Sequence, residues 1–428
     1  MRYGTHAGVD RPGMTQATAV AAPQNTENTD MKRRNFLKGL AAVTVVAAGG
    51  TVWRAYDQGV FSAGRGPAYE PWINWDIDSG QGPLAIVRAG ILASNPHNTQ
   101  PWAFRVTPDA VELYADTARN LGTFDPYLRE MHLGLGCALE NMMQAARANG
   151  CEVDLRLASG ELGPIPADPE PALVARLGLR PGRASADPLY DAIPHRHTDR
   201  GPYDAEYSLA PATQRALLAV PGNDEEIRVV LFTEPAVRER FAAMIVEATE
   251  DIIADGPMVH DSERWFRHSW AEVQRFRDGP TLDAAGLPPL VTAMAKMLPP
   301  ASAEANHQYW LDATRDIHVA TAPAFGLILV RRLYDRAASL RAGRAWQRMH
   351  LGATTLGLAM QPLNQPVERI DRERELAATP KAARALEAFT PNGGWRPTFA
   401  FRVGHPTREA APSPRRSVTQ VVMEGSTA

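Results

Sequence analysis

Two short stretches carry side chains whose types and spacing suit ligand chemistry. The first is Ser94-Asn95-Pro96-His97-Asn98-Thr99-Gln100-Pro101-Trp102-Ala103-Phe104. Its first nine residues hold four short polar side chains, two prolines and a tryptophan. Several hydrogen-bonding groups beside an aromatic plane suit a flat polar ligand; the plainer alternative is a connecting loop whose Trp102 packs into a core. The second stretch is Ile193-Pro194-His195-Arg196-His197-Thr198-Asp199-Arg200. Arg196 and Arg200 can each fork onto phosphate oxygens, and the Thr198 hydroxyl adds a donor, so the set suits an anion. Clustered arginines also serve as solvated surface or in ion pairs. His97, His132, His195 and His197 do not have metal-ligand spacing, so zinc is rejected. Neither G-x-S-x-G, a Walker A loop nor G-x-G-x-x-G occurs.

The elements around these stretches follow from periodicity. The run from Leu84 to Ala93 reads as one helix, and the polar loop follows it. Phe104 and Val106 then share one face of a strand, and residues 111–115 alternate as another. From Arg129 to Asn149, Leu135, Leu139, Met142, Met143 and Ala146 recur at helical spacing, and Gly150 is the natural stop. Residues 152–157 alternate as a strand, and the proline-rich stretch 160–171 marks a boundary region. Beyond the arginines, 226–232 reads as a strand, 236–253 as a helix and 265–300 as an irregular, partly helical excursion able to cover a pocket. The sequence predicts an apolar helix over 348–359, stopping before Pro362-Leu363-Asn364-Gln365-Pro366, and a last strand over 398–404 before the basic tail at Arg415-Arg416. Cys137 and Cys151 read as packing residues, held apart by one helix and unable to make a disulfide framework.

The first stretch resembles the loop P-S-x-x-N-x-Q-P-W-x-F that lies against FMN in nitroreductase-like flavoproteins. Its P-H-N-T-Q-P-W form is similar to the fused, two-halved Acg-type branch. The second resembles that family's phosphate-holding segment R-[RH]-[ST]-x-[RK], which His195 to Arg200 matches residue for residue. The resemblance implies an α+β fold and an FMN site built from Ser94, Asn95, Pro96, Asn98 and Gln100 with Arg196, His197, Thr198 and Arg200. Asn364 and Gln365 resemble the loop whose backbone N–H reaches the flavin N5 edge. Arg416 is favoured over Arg415, without excluding it, for the basic pair that closes on the phosphate. Ser94-Asn95 departs from the usual Pro-Ser, and Asp199 brings a carboxylate that is expected to pair with an arginine.

An ordinary member carries the arginine segment first and the loop next, and two subunits share each flavin. Here the first half has only the loop and the second only the arginines. The motif order therefore implies two tandem halves, 83–181 and 190–428, forming an intramolecular pseudo-dimer with one composite flavin site and a decayed twin. The implied activity is that of an FMN-dependent oxidoreductase, reducing a nitro, quinone or other conjugated acceptor by ping-pong transfer from an unidentified donor. No side chain is assigned as its general acid. The alternative is a flavin-binding or flavin-storage protein with little turnover.

A net charge of −3 over 428 residues gives no reason to expect nucleic acid as a partner. Residues 1–30 read as a disordered extension that Met31 would supersede as the true start. Residues 31–55 read as a signal: Lys32-Arg33-Arg34-Asn35-Phe36-Leu37-Lys38 precedes an uncharged run from Gly39 to Trp53. That form resembles a twin-arginine signal, which implies the export machinery for folded proteins as a partner. The expected location is the periplasm or, with the signal retained as a membrane anchor, the outer face of the inner membrane. Residues 56–82 read as a linker.

Overall fold

One order of elements occurs twice. In the first half, helix α1 (Pro83–Gly90) leads to strands β1 (Trp102–Thr107) and β2 (Ala110–Asp116), long helix α2 (Arg129–Ala148), and strands β3 (Cys151–Leu157) and β4 (Pro171–Pro181). In the second, helix Pro211–Ala219 leads to β5 (Ile227–Phe232), and then comes α3 (Pro235–Ile253). Four further helices follow: α4 (Gly256–Glu263), α5 (Trp270–Phe276), α6 (Pro289–Met297) and α7 (Ala303–Ala313). The order then resumes with β6 (Ala324–Val330), long helix α8 (Arg336–Thr355), β7 (Ala359–Pro362), α9 (Gln365–Glu375) and β8 (Arg396–Gly404). The two antiparallel sheets have the matching orders β1-β2-β4-β3 and β5-β6-β8-β7. The protein is α+β, in two tandem halves.

This computed structural model describes residues 48–77 and 82–426. The chain divides into units 1–52 and 53–428. Of the first, only the start of the helix Ala48–Asp57 is described. The extension and the paired arginines of the signal lie outside the described residues.

Helices α2 and α8 pack against each other, and glycines set how closely. A Cβ on Gly136 would run into the Leu340 carbonyl oxygen, and one on Gly343 into that of Leu133. Around this crossing one core spans both halves, with Leu135, Leu139 and Met142 from α2, Leu340, Trp346 and Met349 from α8, and Phe104, Phe399 and Phe401 from the sheets. Each such side chain contributes about 1.5–3 kcal/mol when fully buried. A second junction is ionic. Buried Arg129 of α2 donates through Nε to Asp371 of α9 at 2.8 Å and through Nη1 to the Thr398 carbonyl at 2.6 Å. Asp125 caps α2 by accepting from the N–H groups of Glu130 and Met131. The C-terminal tail returns to the first half: Arg415 N–H donates to the Ala68 carbonyl, and Met423 N–H to that of Phe104.

Several expectations need correction. The first helix ends at Gly90, and residues 91–93 turn instead of continuing it. The helix expected over 348–359 begins at Arg336, where Asp335 accepts from Ala338 N–H, and Ala359 already opens β7. Arg336, Arg341 and Arg344 interrupt its apolar pattern, which hid its first three turns. Strand β6 is buried at all seven positions, so it lacks the alternation that marks a half-exposed strand; it and β4 were not anticipated. The excursion at 265–300 belongs to a larger helical insertion, α4 to α7. The presumed linker is anchored, because Ala68, Tyr69 and Trp72 join the core. Cys137 is buried and free, donating to the Gly343 carbonyl, which fits a packing role.

Candidate ligand cleft between the two halves

The polar loop after α1 is held by its own side chains and by α8. Asn95 Oδ1 accepts from Gln100 N–H at 2.7 Å, and its Nδ2 donates to the Ala93 carbonyl at 3.2 Å. Ser94 N–H donates to Gln347 Oε1, and Trp346 Nε1 donates to Ser94 Oγ. Within four residues His97, Asn98 and Gln100 take left-handed φ angles of 45°, 51° and 51°. Non-glycine residues rarely adopt that region, and such strain persists only where the surroundings over-determine it. Here they do. Asn98 Nδ2 donates to the carbonyls of Pro414 (2.9 Å) and Gly279 (3.3 Å), and Gln100 Nε2 donates to that of Arg277 (2.7 Å).

The arginine segment of the second half meets this loop. Arg196 is buried, its Nη2 donating to the Leu92 carbonyl at 3.1 Å and its Nη1 3.5 Å from His350 Nδ1. Arg415 reaches in from the tail. Its Nη1 donates to Asn98 Oδ1 at 2.5 Å, its Nη2 donates to the Ala93 carbonyl at 3.1 Å, and its guanidinium lies 4.8 Å from the Trp72 ring centroid. The His197 ring packs edge-on to Trp72 at 4.6 Å. A cleft opens among Ser94, Asn95 and Asn98 of the loop, Arg196, His197, Thr198 and Arg200 of the segment, and Trp72, Ser413 and Arg415.

The cleft is cationic, and Asp199 beside Arg200 is the carboxylate that acts on it. Among the described residues Arg196, Arg200, Arg415 and Arg416 form no ion pair, and the Nε groups of Arg196 and Arg415 are buried without a hydrogen-bond partner. Burial pulls the Arg196 guanidinium down to about 10 and holds Arg415, which also faces Arg196, well below the usual arginine value. Burial and the neighbouring arginines keep His197 neutral, at about 3, and burial with Arg196 pushes His350 well below its ordinary value. An unpaired buried charge costs several kcal/mol. A ligand anion would supply the missing partner, and the orphaned Nε groups are donors that a phosphate could fill.

The structure brings together most of the sequence-predicted residues, with exceptions. Gln100 and Arg416 stand behind the cleft: Arg416 N–H donates to Gln100 Oε1 at 2.8 Å, and its Nη2 donates to the carbonyls of Gln100 (2.5 Å) and Trp102 (3.0 Å). Arg415, not the favoured Arg416, therefore lines the cleft. Pro96 packs against α2 near Gly134. Asn364 and Gln365 do not line the cleft; Asn364 Nδ2 donates to Glu130 Oε1, its Oδ1 accepts from Ala400 N–H, and Gln365 Oε1 is buried without a partner. Among the described residues Asp199 makes no close arginine ion pair, although Arg402, Arg408 and Arg200 each act on its charge. Its Oδ1 accepts from Gly201 N–H at 2.7 Å, and burial raises its carboxyl above the usual range. Sequence reasoning missed Trp72, His350 and Ser413. Trp72 sits in a stretch without periodicity, His350 is one polar residue on a long helix, and Ser413 carries no motif.

The chain is 28% identical over 373 residues to Mycobacterium tuberculosis proteins named "Putative NAD(P)H nitroreductase" in strains CDC 1551 / Oshkosh and H37Rv, covering 84% of this chain and 95% of each relative. No family model matches. That similarity runs through both halves of the chain. Among solved structures, the FMN-dependent nitroreductase NfnB from Mycobacterium smegmatis in complex with NADPH aligns at 15% identity and a TM-score of 0.34, covering 55% of this chain and 97% of that one. A BluB-like flavoprotein from Clostridium difficile 630 aligns at 13% identity and a TM-score of 0.34, covering 55% and 97%.

Proposed function

We propose that the protein is an FMN-dependent oxidoreductase of the nitroreductase type with one flavin site in the inter-half cleft. The observation that carries this reading is the pair of buried guanidiniums, Arg196 and Arg415, without a carboxylate partner beside a strained polar loop. Arg196, Arg200 and Arg415 would hold the phosphate, with Thr198 as a further donor. Ser94, Asn95 and Asn98 would face the ring, and Trp72 and neutral His197 would help to exclude water. Bound FMN supplies hydride or electron transfer, and the chain supplies orientation and charge. The substrate class is a nitro, quinone or other conjugated acceptor, reduced in a ping-pong cycle. Neutral histidines at the cleft leave arginine as the source of positive charge around neutral pH.

We further propose export of the folded, flavin-loaded chain by the twin-arginine route, to the periplasm or the outer face of the inner membrane. The motif at residues 32–38 supports that reading. Electrons would then come from a membrane or periplasmic carrier.

One observation favours a second reading, flavin storage. The segment from Arg277 to Gly286 closes over both motifs: Gly279 N–H donates to the Asn98 carbonyl, and Arg200 Nη1 donates to that of Ala284. Such a cover would shield a bound flavin. The first measurement is a visible absorption spectrum with flavin-to-chain stoichiometry on the purified protein. One FMN per chain is expected, and a colourless protein that refuses added FMN sinks both readings. Rapid reduction of the bound flavin by a quinol or pyridine nucleotide then selects the enzyme, and resistance to every donor selects storage.

A further inference from the structure

The duplicated order of elements defines a second place on the molecule, where the second half's counterpart of the polar loop would lie. The relation between the halves is visible in single bonds. In the first half α2 is tied to the end of α1 by Asn141 Nδ2 donating to the Ala89 carbonyl at 2.9 Å. In the second, α8 is tied to the end of the helix Pro211–Ala219 by Arg348 Nε donating to the Val220 carbonyl at 3.0 Å. Where the first half then sets its polar loop against the long helix, the second has only the turn Pro221-Gly222-Asn223-Asp224. Gly222 has φ +85°, and nothing lies within 4 Å of where its Cβ would be. The shorter turn leaves a cavity of about 430 Å³ between itself, β5 and α8.

That cavity is lined with charge. Arg341, Arg344 and Arg348 descend one face of α8, and Arg228 of β5 joins them. Buried Glu140 accepts from Arg344 Nε at 3.0 Å and from Arg348 Nη1 at 2.8 Å, which accounts for two of the four. The other two are barely engaged. Among the described residues Arg341 has only a 3.9 Å ion pair with Asp224, and Arg228 only the edge of a cation–π contact, 6.0 Å from the Trp395 ring centroid. Four guanidiniums face two carboxylates, an excess of two positive charges on a concave wall. Planar, fixed forks of this kind suit oxyanions.

We propose that this cavity is a second, flavin-independent site for a small molecule bearing a phosphate or diphosphate. Loss of the twin loop opened the space, and the α8 arginines gave it an anion's complement. The site does not rest on the function proposed above, because no residue of the flavin cleft contributes to it.

Inorganic pyrophosphate is the probe, titrated calorimetrically into the wild-type chain, Arg196→Ala, and the double variant Arg228→Gln/Arg341→Gln. The last leaves the Glu140 pairs intact, and its melting temperature checks that it folds. Saturable binding that survives Arg196→Ala and weakens at least tenfold in the double variant is the expected result. Absence of saturable binding, or binding that Arg196→Ala removes and the double variant keeps, would falsify the proposal. A double variant that fails to fold is replaced by Arg341→Gln alone, for which at least a threefold loss is expected and an unchanged affinity overturns the site.

Discussion

Arg196 and Arg415 differ from ordinary surface arginines in having been taken out of water without a carboxylate. Their hydrogen bonds go to carbonyls, a histidine nitrogen and an amide oxygen, all neutral. Replacing either removes charge-assisted bonds worth about 1.5–3 kcal/mol each to a bound phosphate. Arg196→Ala and Arg415→Ala should therefore each weaken FMN retention by at least tenfold, read by flavin fluorescence on titration. Arg416→Ala should instead loosen the Gln100 backbone, with a smaller effect on phosphate affinity than on loop protection in hydrogen exchange. Arg196 was legible in the sequence because its neighbours, Thr198 and Arg200, make one compact set. The choice between Arg415 and Arg416 was not, because adjacent residues in an irregular tail point opposite ways and no periodicity says which. Asn364 belongs to the loop whose backbone N–H is expected at the flavin N5 edge; its side chain bridges Glu130 and Ala400 across the two halves.

At the scale of elements, the α2–α8 crossing is the joint on which the cleft depends, since Gln347 and His350 of α8 meet the loop and Arg196 directly. Alanine at Gly136 or Gly343 must push the helices apart or bend a backbone, an overpacking cost of about 1–3 kcal/mol. Each substitution should lower the melting temperature by several degrees and also weaken FMN binding. Alanine at exposed Gly222 should do neither to a comparable extent, though its left-handed φ carries some strain. Helix α2 was readable because its buried ladder recurs at one spacing; α8 was readable only from its middle, since arginines occupy its cavity-facing side. Strand β6 gave no alternation to read, being covered on both faces.

For the whole molecule, the duplication was inferred from which half kept which motif, and the matching sheet orders agree with it. No repeat is legible in the residues because the halves preserve topology and crossing geometry, which many sequences satisfy, and not side-chain identity. Their junction holds a buried acidic group. Burial pushes Asp125 up to about 6 and Glu130 up to about 8, and Glu368 is raised well above its ordinary value by burial and by Glu130. Arg129 opposes these shifts, and Asp371 adds to them. A carboxyl that stays protonated longer in the fold than in the unfolded chain stabilises the fold at low pH, and that contribution is lost as pH rises through the folded value. Buried neutral His197 and His350 add stability as pH rises toward the unfolded histidine value, so the acids are read by difference: the wild-type melting temperature relative to that of Glu130→Gln should fall between about pH 5 and about pH 8. A difference that climbs over that interval would show that Glu130 folds ionised.

The returning tail has a consequence for the order of events in the cell. Ser413 and Arg415 leave the ribosome after every other residue lining the cleft, whose remaining walls come from residues 72, 94–98 and 196–200. Folding during synthesis proceeds from the N-terminus, so the loop and the first arginines can be in place while the cleft still lacks one wall. A nascent or truncated chain has no finished pocket. A phosphate ligand would therefore meet both buried arginines only once synthesis has passed Arg415.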